Sequence, residues 1–406
     1  METVVHSFNC NTGTGLQTIT TTKLGGVTPK AVLFCIVGSD VFDDDDTHAK
    51  MGWGAADGIR EWAMAANMAD GQSTTQTGTM SRTDKCLCIT TDAGSTPAVD
   101  GEAAFDAFVV NGVRIDWTDA VSDDYKVIAI FFAGADVNVR ADSVLLLAED
   151  VEQDISAGFK PKCIITAAPG AGATSLEDNC RLSIGAAVLD GGSFKQRSWV
   201  YQDYDDVGTT RVRGQTFNNR AGGRGDNTYS FELADPDSDG FSLYARGGSP
   251  SSDYVHYLAL DFTSQVELLQ YLPRTSIGTQ VFTGVGFEPD AVIIGHATQT
   301  AENTDQEADM AHSFSAFDDT DEYSQSINSE DSSSTSDANS EPVARAIQSL
   351  NPAGTNYLYR ALHTSMDADG FTLQYSRGAG YITYGWALCF NPDDAPVEGQ
   401  AFMMVS

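Results

Sequence analysis

Residues that could carry out chemistry are few in this chain of 406 residues, and they form no recognisable catalytic pattern. The chain contains no HExxH zinc motif, no GxSxG nucleophile motif and no phosphate-binding loop, since the glycine-rich GAGAT at Gly170 lacks the required lysine. None of the histidines shares a position with another in the repeat described below; they are His6, His48, His256, His296, His312 and His363. We therefore predict no catalytic, cofactor-binding or metal-binding residues, no cofactor, and a protein that is not an enzyme.

Two short motifs and the cysteines have structural explanations that we prefer. The acidic run DVFDDDDTH, from Asp40 to His48, matches no EF-hand spacing, so it predicts a solvated loop, although whether the acidic loops bind cations stays open. The Arg-Gly-Asp triplet in GRGDN at Gly223 is interpreted as accidental. The seven cysteines recur at no equivalent positions, which favours small buried side chains over disulfides or a metal site.

Three short sequence motifs, which we call phrases, each occur three times along the chain. The elements that they form must position any site. The first phrase is GVTPKAVLF at Gly26, GFKPKCIIT at Gly158 and GFEPDAVII at Gly286, with starts 132 and 128 residues apart. A second phrase has an Asn-Gly or Asp-Gly pair, and it begins at Asn111, Asp239 and Asp369. A third, led by tyrosine, begins at Tyr125, Tyr254 and Tyr381. This period is the size of a domain and predicts three tandem domains, at residues 1–140, 141–264 and 265–406.

Each phrase has the pattern of a β-strand. The prolines stand just before apolar runs, the Asn-Gly and Asp-Gly pairs precede alternating segments, and the tyrosine-led runs are almost continuously apolar. We therefore predict an all-β fold with three antiparallel β-sandwich, jelly-roll-like repeats of about 130 residues in a pseudo-threefold arrangement. The segment IREWAMAANMA, residues 59–69, could be an inserted helix or a strand and loop.

Polar segments interrupt each repeat at one equivalent place. They are residues 68–84, 202–228 and 318–342, rich in Gly, Ser, Thr and Asp and unrelated to one another in sequence. We expect long surface loops, either simply solvated or in contact with a partner.

Composition excludes one class of partner. The net charge is −34, with 42 Asp, 15 Glu and only 8 Lys, and such a surface repels nucleic acid. The excess of Asp favours adaptation to molar salt, and an ordinary or calcium-loaded acidic surface is the alternative. The start METVVHSFNCN has no signal-peptide pattern, and no apolar run reaches the roughly 18 residues of a spanning helix. We expect a protein that is made in the cytoplasm, without a signal peptide and without membrane contact.

The series GFEPDAVII, DGFTL and YxxYLAL resembles β-sandwich repeat domains in virion structural proteins of tailed bacterial and haloarchaeal viruses. The resemblance covers all three repeats, although the first departs from it at Val27 and in NGVRI. It implies a sandwich exposed on the particle surface, as a capsid decoration or turret protein or as a tail-tip component, and it brings no catalytic residues.

We therefore expect a non-enzymatic virion surface protein. A capsid decoration or turret protein is preferred to a tail protein. Its partners would be the major capsid protein or tail proteins and further copies of itself. The alternative is a tail-tip or carbohydrate-binding attachment protein that contacts a host surface glycan, with Trp199, Tyr201 and Tyr204 as candidate platform. A glycan hydrolase would need two carboxylates about 5 to 10 Å apart in a cleft. Residues 401–405, which resemble the apolar segment at Val4, are hypothesised to add a strand to the first repeat or to a neighbouring subunit.

Overall fold

The protein is all-β, as predicted. A computed structural model describes residues 1–92, 97–208, 212–226, 228–248, 253–353 and 356–391. Within these ranges the chain forms β-strands and one short 3-10 helix, Thr22–Leu24, and every ladder between neighbouring strands of a sheet is antiparallel.

The strands of residues 2–133 are β1 (Glu2–Asn9), β2 (Gly15–Thr20), β3 (Ala31–Val37), β4 (Ala49–Ala56), β5 (Glu61–Met68), β6 (Thr77–Arg82), β7 (Leu87–Asp92), β8 (Pro97–Val109), β9 (Gly112–Asp119) and β10 (Lys126–Ala133). Those of residues 138–261 are β11 (Asn138–Leu145), β12 (Glu152–Ser156), β13 (Cys163–Ala167), β14 (Leu176–Asp178), β15 (Cys180–Asp190), β16 (Ser193–Asp203), β17 (Val212–Phe217), β18 (Gly222–Gly223), β19 (Ser230–Ala234), β20 (Gly240–Arg246) and β21 (Tyr254–Asp261). Those of residues 266–390 are β22 (Val266–Tyr271), β23 (Gly278–Thr283), β24 (Ala291–Ala297), β25 (Gln306–Glu307), β26 (Met310–Asp318), β27 (Glu322–Ser329), β28 (Ala338–Val343), β29 (Ile347–Leu350), β30 (Tyr357–Asp367), β31 (Gly370–Arg377) and β32 (Tyr384–Phe390).

One strand order occurs three times. The large sheets run β1-β10-β3-β4-β5-β6, β11-β21-β13-β15-β16-β17 and β22-β32-β24-β26-β27-β28. The small sheets run β2-β9-β8-β7, β12-β20-β19-β18 and β23-β31-β30-β29. Consecutive strands are mostly neighbours within a sheet, without the repeated sheet-to-sheet alternation of a jelly roll. We name each large sheet with its small sheet the first, second and third sheet pair; the domain boundaries themselves stay a prediction.

The repeated phrases occupy equivalent strands. The proline-led strands β3, β13 and β24 pair with the tyrosine-led strands β10, β21 and β32 in the interior of the large sheets, as expected from their apolar runs. The glycine-led strands β9, β20 and β31 belong to the small sheets. A Cβ atom on Gly112, Gly240 or Gly370 would lie only 1.8 to 1.9 Å from a carbonyl oxygen of the edge strand. This close approach explains why all three repeats carry glycine there.

A further contact recurs in all three sheet pairs and was not predicted from the sequence. Gln17, Gln153 and Gln280 lie on the edge strands of the small sheets, and each donates through its amide nitrogen to the carbonyl eight residues earlier, at 2.7, 3.0 and 2.9 Å. The bond ties the start of each small sheet to the end of the first strand of its large sheet.

Five clusters of buried apolar side chains lie in the described part of the chain, and the smallest comprises Ala63, Ala65, Met80 and Cys88. Three lie inside the sheet pairs, between a large and a small sheet. The fourth joins residues of all three large sheets, where the Trp53 ring centroid lies 5.7 Å from that of Trp199 and 6.2 Å from that of Phe314. The three sheet pairs are therefore packed around one shared core.

The structure decides one local alternative that the sequence left open and corrects a second expectation. Residues 59–69, left open between helix and strand, contain strand β5, which is buried over most of its length. The polar segments expected to be long surface loops contain β6, β17, β27 and β28, whose side chains are mostly buried. Hydroxyl groups make this burial tolerable because they find partners: Thr79 donates to the carbonyl of Asn179 at 2.8 Å, and Ser315 to Ser324 at 2.7 Å.

Candidate functional site

The turns of the three polar segments meet one another. We call residues 69–76, 204–208 and 330–337 the polar crown. Main-chain hydrogen bonds join its parts, including Gly71 N–H to Ser336 O at 2.9 Å and Thr75 N–H to Val207 O at 3.0 Å. The segments were expected at one equivalent place on each repeat, and the structure brings these places together.

Each sheet pair also covers an edge of another. Strand β14, which lies between β13 and β15 of the second pair along the chain, adds to β6 of the first pair. Strand β25, which lies between β24 and β26 of the third pair along the chain, adds to β17 of the second. The first pair reaches the third through an antiparallel bridge between Asp46 and Ser340, the latter on β28. The contacts therefore run in a closed cycle, and they shield strand edges that would otherwise invite pairing with other chains.

Carboxylates bind main-chain N–H groups on the other edge strands of two large sheets, β1 in the first pair and β11 in the second. Val5 N–H on β1 donates to Asp318 Oδ2 at 3.0 Å, and Ala141 N–H on β11 donates to Asp57 Oδ2 at the same distance. Each acid belongs to the sheet pair that precedes the edge in the cycle. Residues 401–405, proposed above as an added strand, lie outside the described part of the chain.

The amino group of Met1 is buried among the segments that link the sheet pairs. It lies 3.5 Å from Asp136 Oδ1 and 3.3 Å from Ser264 Oγ. Partial burial would raise the pKa of Asp136, but the hydroxyl and N–H of Thr263, at 2.6 and 2.9 Å, together with the amino group lower it to about 2.

The acidic run at Asp40 is not simply a solvated loop. Asp43 N–H donates to Pro342 O at 2.9 Å, and the Asp43 carboxylate pairs with Arg360 at 2.9 Å. Burial and the nearby Asp45 raise the pKa of Glu341 to about 7. The run therefore joins the first and third sheet pairs, a contact between positions some 300 residues apart that no local pattern indicates.

A group of three carboxylates near this run is a candidate cation site. Asp40, Asp123 and Asp124 offer oxygen atoms within 4.8 Å of one another. Asp124 also accepts a hydrogen bond from Asn9 at 2.9 Å. No other feature of the described residues at this point indicates a ligand.

The aromatic platform expected for glycan binding is not at the surface. Trp199 and Tyr201 are buried in the shared core, and His312 stacks on Trp199 with ring centroids 4.4 Å apart. Only Tyr204 of the three is partly exposed. Side chains alternate between the two faces of strand β16, so Trp199 and Tyr201 both lie on the face toward the core. The polar residues that follow in the sequence had suggested a surface position instead.

Three histidines are structural. His256 lies between Ser81 Oγ at 2.9 Å and Ser143 Oγ at 2.7 Å, and burial lowers its pKa to about 3. His296 bonds to Thr383 Oγ1 at 2.8 Å, and burial lowers its pKa well below the usual value. His312 is completely buried, with its pKa lowered to about 3 for the same reason. These rings are neutral parts of the packing at physiological pH.

The remaining motifs have structural roles. Arg224 and Asp226 of the Arg-Gly-Asp triplet pair with each other at 2.9 Å, and a Cβ on Gly225 would meet the main chain of Gln202 at 2.4 Å. Gly170 of GAGAT accepts a hydrogen bond from Arg181 at 2.9 Å. All seven cysteines are buried and unpaired, which confirms the prediction of small buried side chains.

Comparisons with known proteins place the chain in no family. No protein-family model and no curated protein matches it. Among solved structures, a fructofuranosidase from Schwanniomyces occidentalis complexed with fructose is 7% identical, with 95% of this chain and 98% of that chain covered and a TM-score of 0.12. A structure of extended synaptotagmin 2, comprising its SMP domain and a pair of C2 domains, is 9% identical, with 95% and 89% covered and a TM-score of 0.10. Likenesses this weak carry no argument about fold or function. In the described ranges, no helix has the length and apolar character needed to cross a membrane.

Proposed function

We propose that this protein is a non-enzymatic structural protein on the particle surface of a tailed virus, as a capsid decoration or turret protein. The observation that carries the proposal is the closed cycle of contacts among three sheet pairs with one strand order. A body with three similar parts around one core suits a quasi-threefold position on a shell.

Two sequence features support the same role. The repeated phrases resemble virion structural domains, and the charge of −34 suits a surface that stays hydrated and repels nucleic acid. The polar crown contains many hydroxyl and carboxylate side chains, and most of its residues are at least partly exposed, which suits a face turned toward solvent.

The tail-tip or attachment role is the second candidate. Its main sequence argument was an aromatic platform, and two of the three platform residues are buried in the shared core. We therefore rank the head position first, with the major capsid protein as the principal partner.

Labelling of purified particles tests the proposal. An epitope inserted at Gly13 is suitable because this glycine is exposed, and a Cβ there would meet nothing within 4 Å. Gold-labelled antibody should decorate the head in electron micrographs. Label confined to the tail would support the attachment role, and particles without label would overturn both.

A further inference from the structure

A cavity of about 390 Å³ lies in the third sheet pair, beside the polar crown. Three pieces of chain line it: residues 298–300 after β24, residues 306–310 at β25 and the start of β26, and Tyr381 before β32. Asp309 in this lining accepts the N–H of Asp331, a residue of the crown, at 2.7 Å. The volume lies within the range of about 300–1,000 Å³ that is usual for small-ligand sites.

Hydrogen bonds hold the walls of this cavity in place. The Gln306 side chain accepts the N–H of Thr300 at 2.9 Å and donates to the Thr300 hydroxyl at 3.0 Å. Thr216 on β17 donates to the buried Gln299 amide oxygen at 3.1 Å, so the second sheet pair supports the lining from behind. The cavity is therefore already formed without a ligand, as is usual for small-ligand sites.

Tyr381 supplies an aromatic wall that is open to solvent. It is 41% exposed, and no other tyrosine in the described ranges is as exposed. Burial of part of the side chain, followed by the negative charge of Asp309, raises the pKa of Tyr381, because the carboxylate lies near the phenol. An aromatic face and a carboxylate therefore lie close together in one cavity.

The polar side chains of the cavity are accessible and have hydrogen-bonding capacity left. Asp309 and Gln306 are both partly exposed. The Asp309 carboxylate uses Oδ1 for the N–H of Asp331, and a carboxylate accepts about four hydrogen bonds in total. The Gln306 amide donates one N–H to Thr300 and has a second N–H. An acceptor, a donor and an aromatic ring are thus available to a ligand.

These groups match one unit of a neutral sugar. A pyranose ring has a C–H face that packs on an aromatic ring, and its hydroxyl groups both donate and accept hydrogen bonds. A purely apolar ligand would take Asp309 and Gln306 out of water without giving them partners. An anionic sugar would meet the Asp309 carboxylate and the net charge of −34 of the chain.

We propose that this cavity binds a neutral pyranose unit of a glycan. The Tyr381 ring packs against the C–H face of the sugar, the Asp309 carboxylate accepts hydrogen bonds from sugar hydroxyls, and the Gln306 amide donates to one. The aromatic contact comes from outside the platform expected from the sequence. The site does not depend on a head or tail position, so it and the proposed function can fail separately.

Saturation-transfer difference NMR on the full chain tests this site, with glucose, galactose, mannose and N-acetylglucosamine as separate probes. At least one probe should show saturation of its ring C–H protons, because these protons pack on Tyr381. Titration of that sugar should show binding weakened by about tenfold or more in Tyr381→Ala. Tyr381→Phe keeps the ring and should retain binding. No saturation of any of the probes would overturn the proposal.

A second tyrosine variant separates the cavity from sugar contact elsewhere. Tyr244→Ala is the matched control, because Tyr244 lies on β20 of the second sheet pair and is also partly exposed. It should bind the sugar as the unaltered protein does. Equal weakening in Tyr244→Ala and Tyr381→Ala, or unchanged binding in Tyr381→Ala, would refute the site.

Direct observation decides the matter if Tyr381→Ala fails to fold. Crystals of the unaltered protein are soaked in the sugar that gives the strongest saturation. Sugar density in the cavity, in contact with Tyr381 and Asp309, is the expected result. Sugar density only at other places, or none, would overturn the proposal.

Discussion

Replacing Gly240 by alanine should destabilise the second sheet pair strongly. The new Cβ would lie 1.8 Å from the carbonyl oxygen of Ile155, about 1.6 Å short of the 3.4 Å at which ordinary contact begins. Strand β12 must move away by roughly that amount, yet it is an edge strand of five residues held in its sheet by β20 alone. Overpacking costs about 1–3 kcal/mol, and each ladder hydrogen bond lost costs about 1 kcal/mol more. We expect the free energy of unfolding to fall by roughly 3–5 kcal/mol.

Urea unfolding at one fixed KCl concentration measures this change, with tryptophan fluorescence as the signal. Gly13→Ala is the matched control, because its Cβ would meet nothing within 4 Å, and it should stay within about 0.5 kcal/mol of the unaltered protein. Gly112→Ala and Gly370→Ala should resemble Gly240→Ala, since their Cβ atoms meet the same obstacle at 1.9 Å. If Gly240→Ala costs no more than the control, the explanation of the repeated glycine is wrong.

Three further predictions concern charge. The melting temperature should rise steeply between roughly 0.1 and 2 M KCl as screening removes self-repulsion, and a flat profile would contradict adaptation to high salt. Burial and Asp45 raise the pKa of Glu341 from 4.5 to about 7. The contribution of Glu341 to the free energy of unfolding should therefore be fully present below pH 4.5 and be lost as the pH rises through 7. The variant Glu341→Gln should lack this part of the pH profile of unfolding. Asp136 has a pKa lowered from 3.8 to about 2, so its stabilisation should be present above pH 4 and disappear as pH falls toward 2, and urea unfolding of Asp136→Asn should show a loss at pH 6 but none at pH 2.

Local sequence determined the strands and their equivalence. Proline-led and tyrosine-led apolar runs became paired interior strands, and the Asn-Gly and Asp-Gly pairs became turns into glycine-led strands. Buried cysteines also followed from their type and placement. These features depend on turn chemistry and on side-chain alternation, which a few neighbouring residues specify.

The polar strands were missed for an identifiable reason. Residues such as Thr79 and Ser326 look exposed when their own segment is considered alone, but partners elsewhere in the fold satisfy their hydroxyl groups. Burial of a polar group is decided by whether a partner is present, and the partner of Thr79 is 100 residues away.

Only the tertiary structure decided how the three sheet pairs meet. It buried Trp199 and Tyr201 in a shared core, joined Asp46 to Ser340, and placed Asp290 against the first strand where two earlier repeats have lysine. The sequence by itself determined the repeated strands and turns, because those arise from interactions between close neighbours. The contacts between the sheet pairs could not be predicted from the sequence alone. Each of them depends on the register and packing of strands that are brought together only when the whole chain has folded.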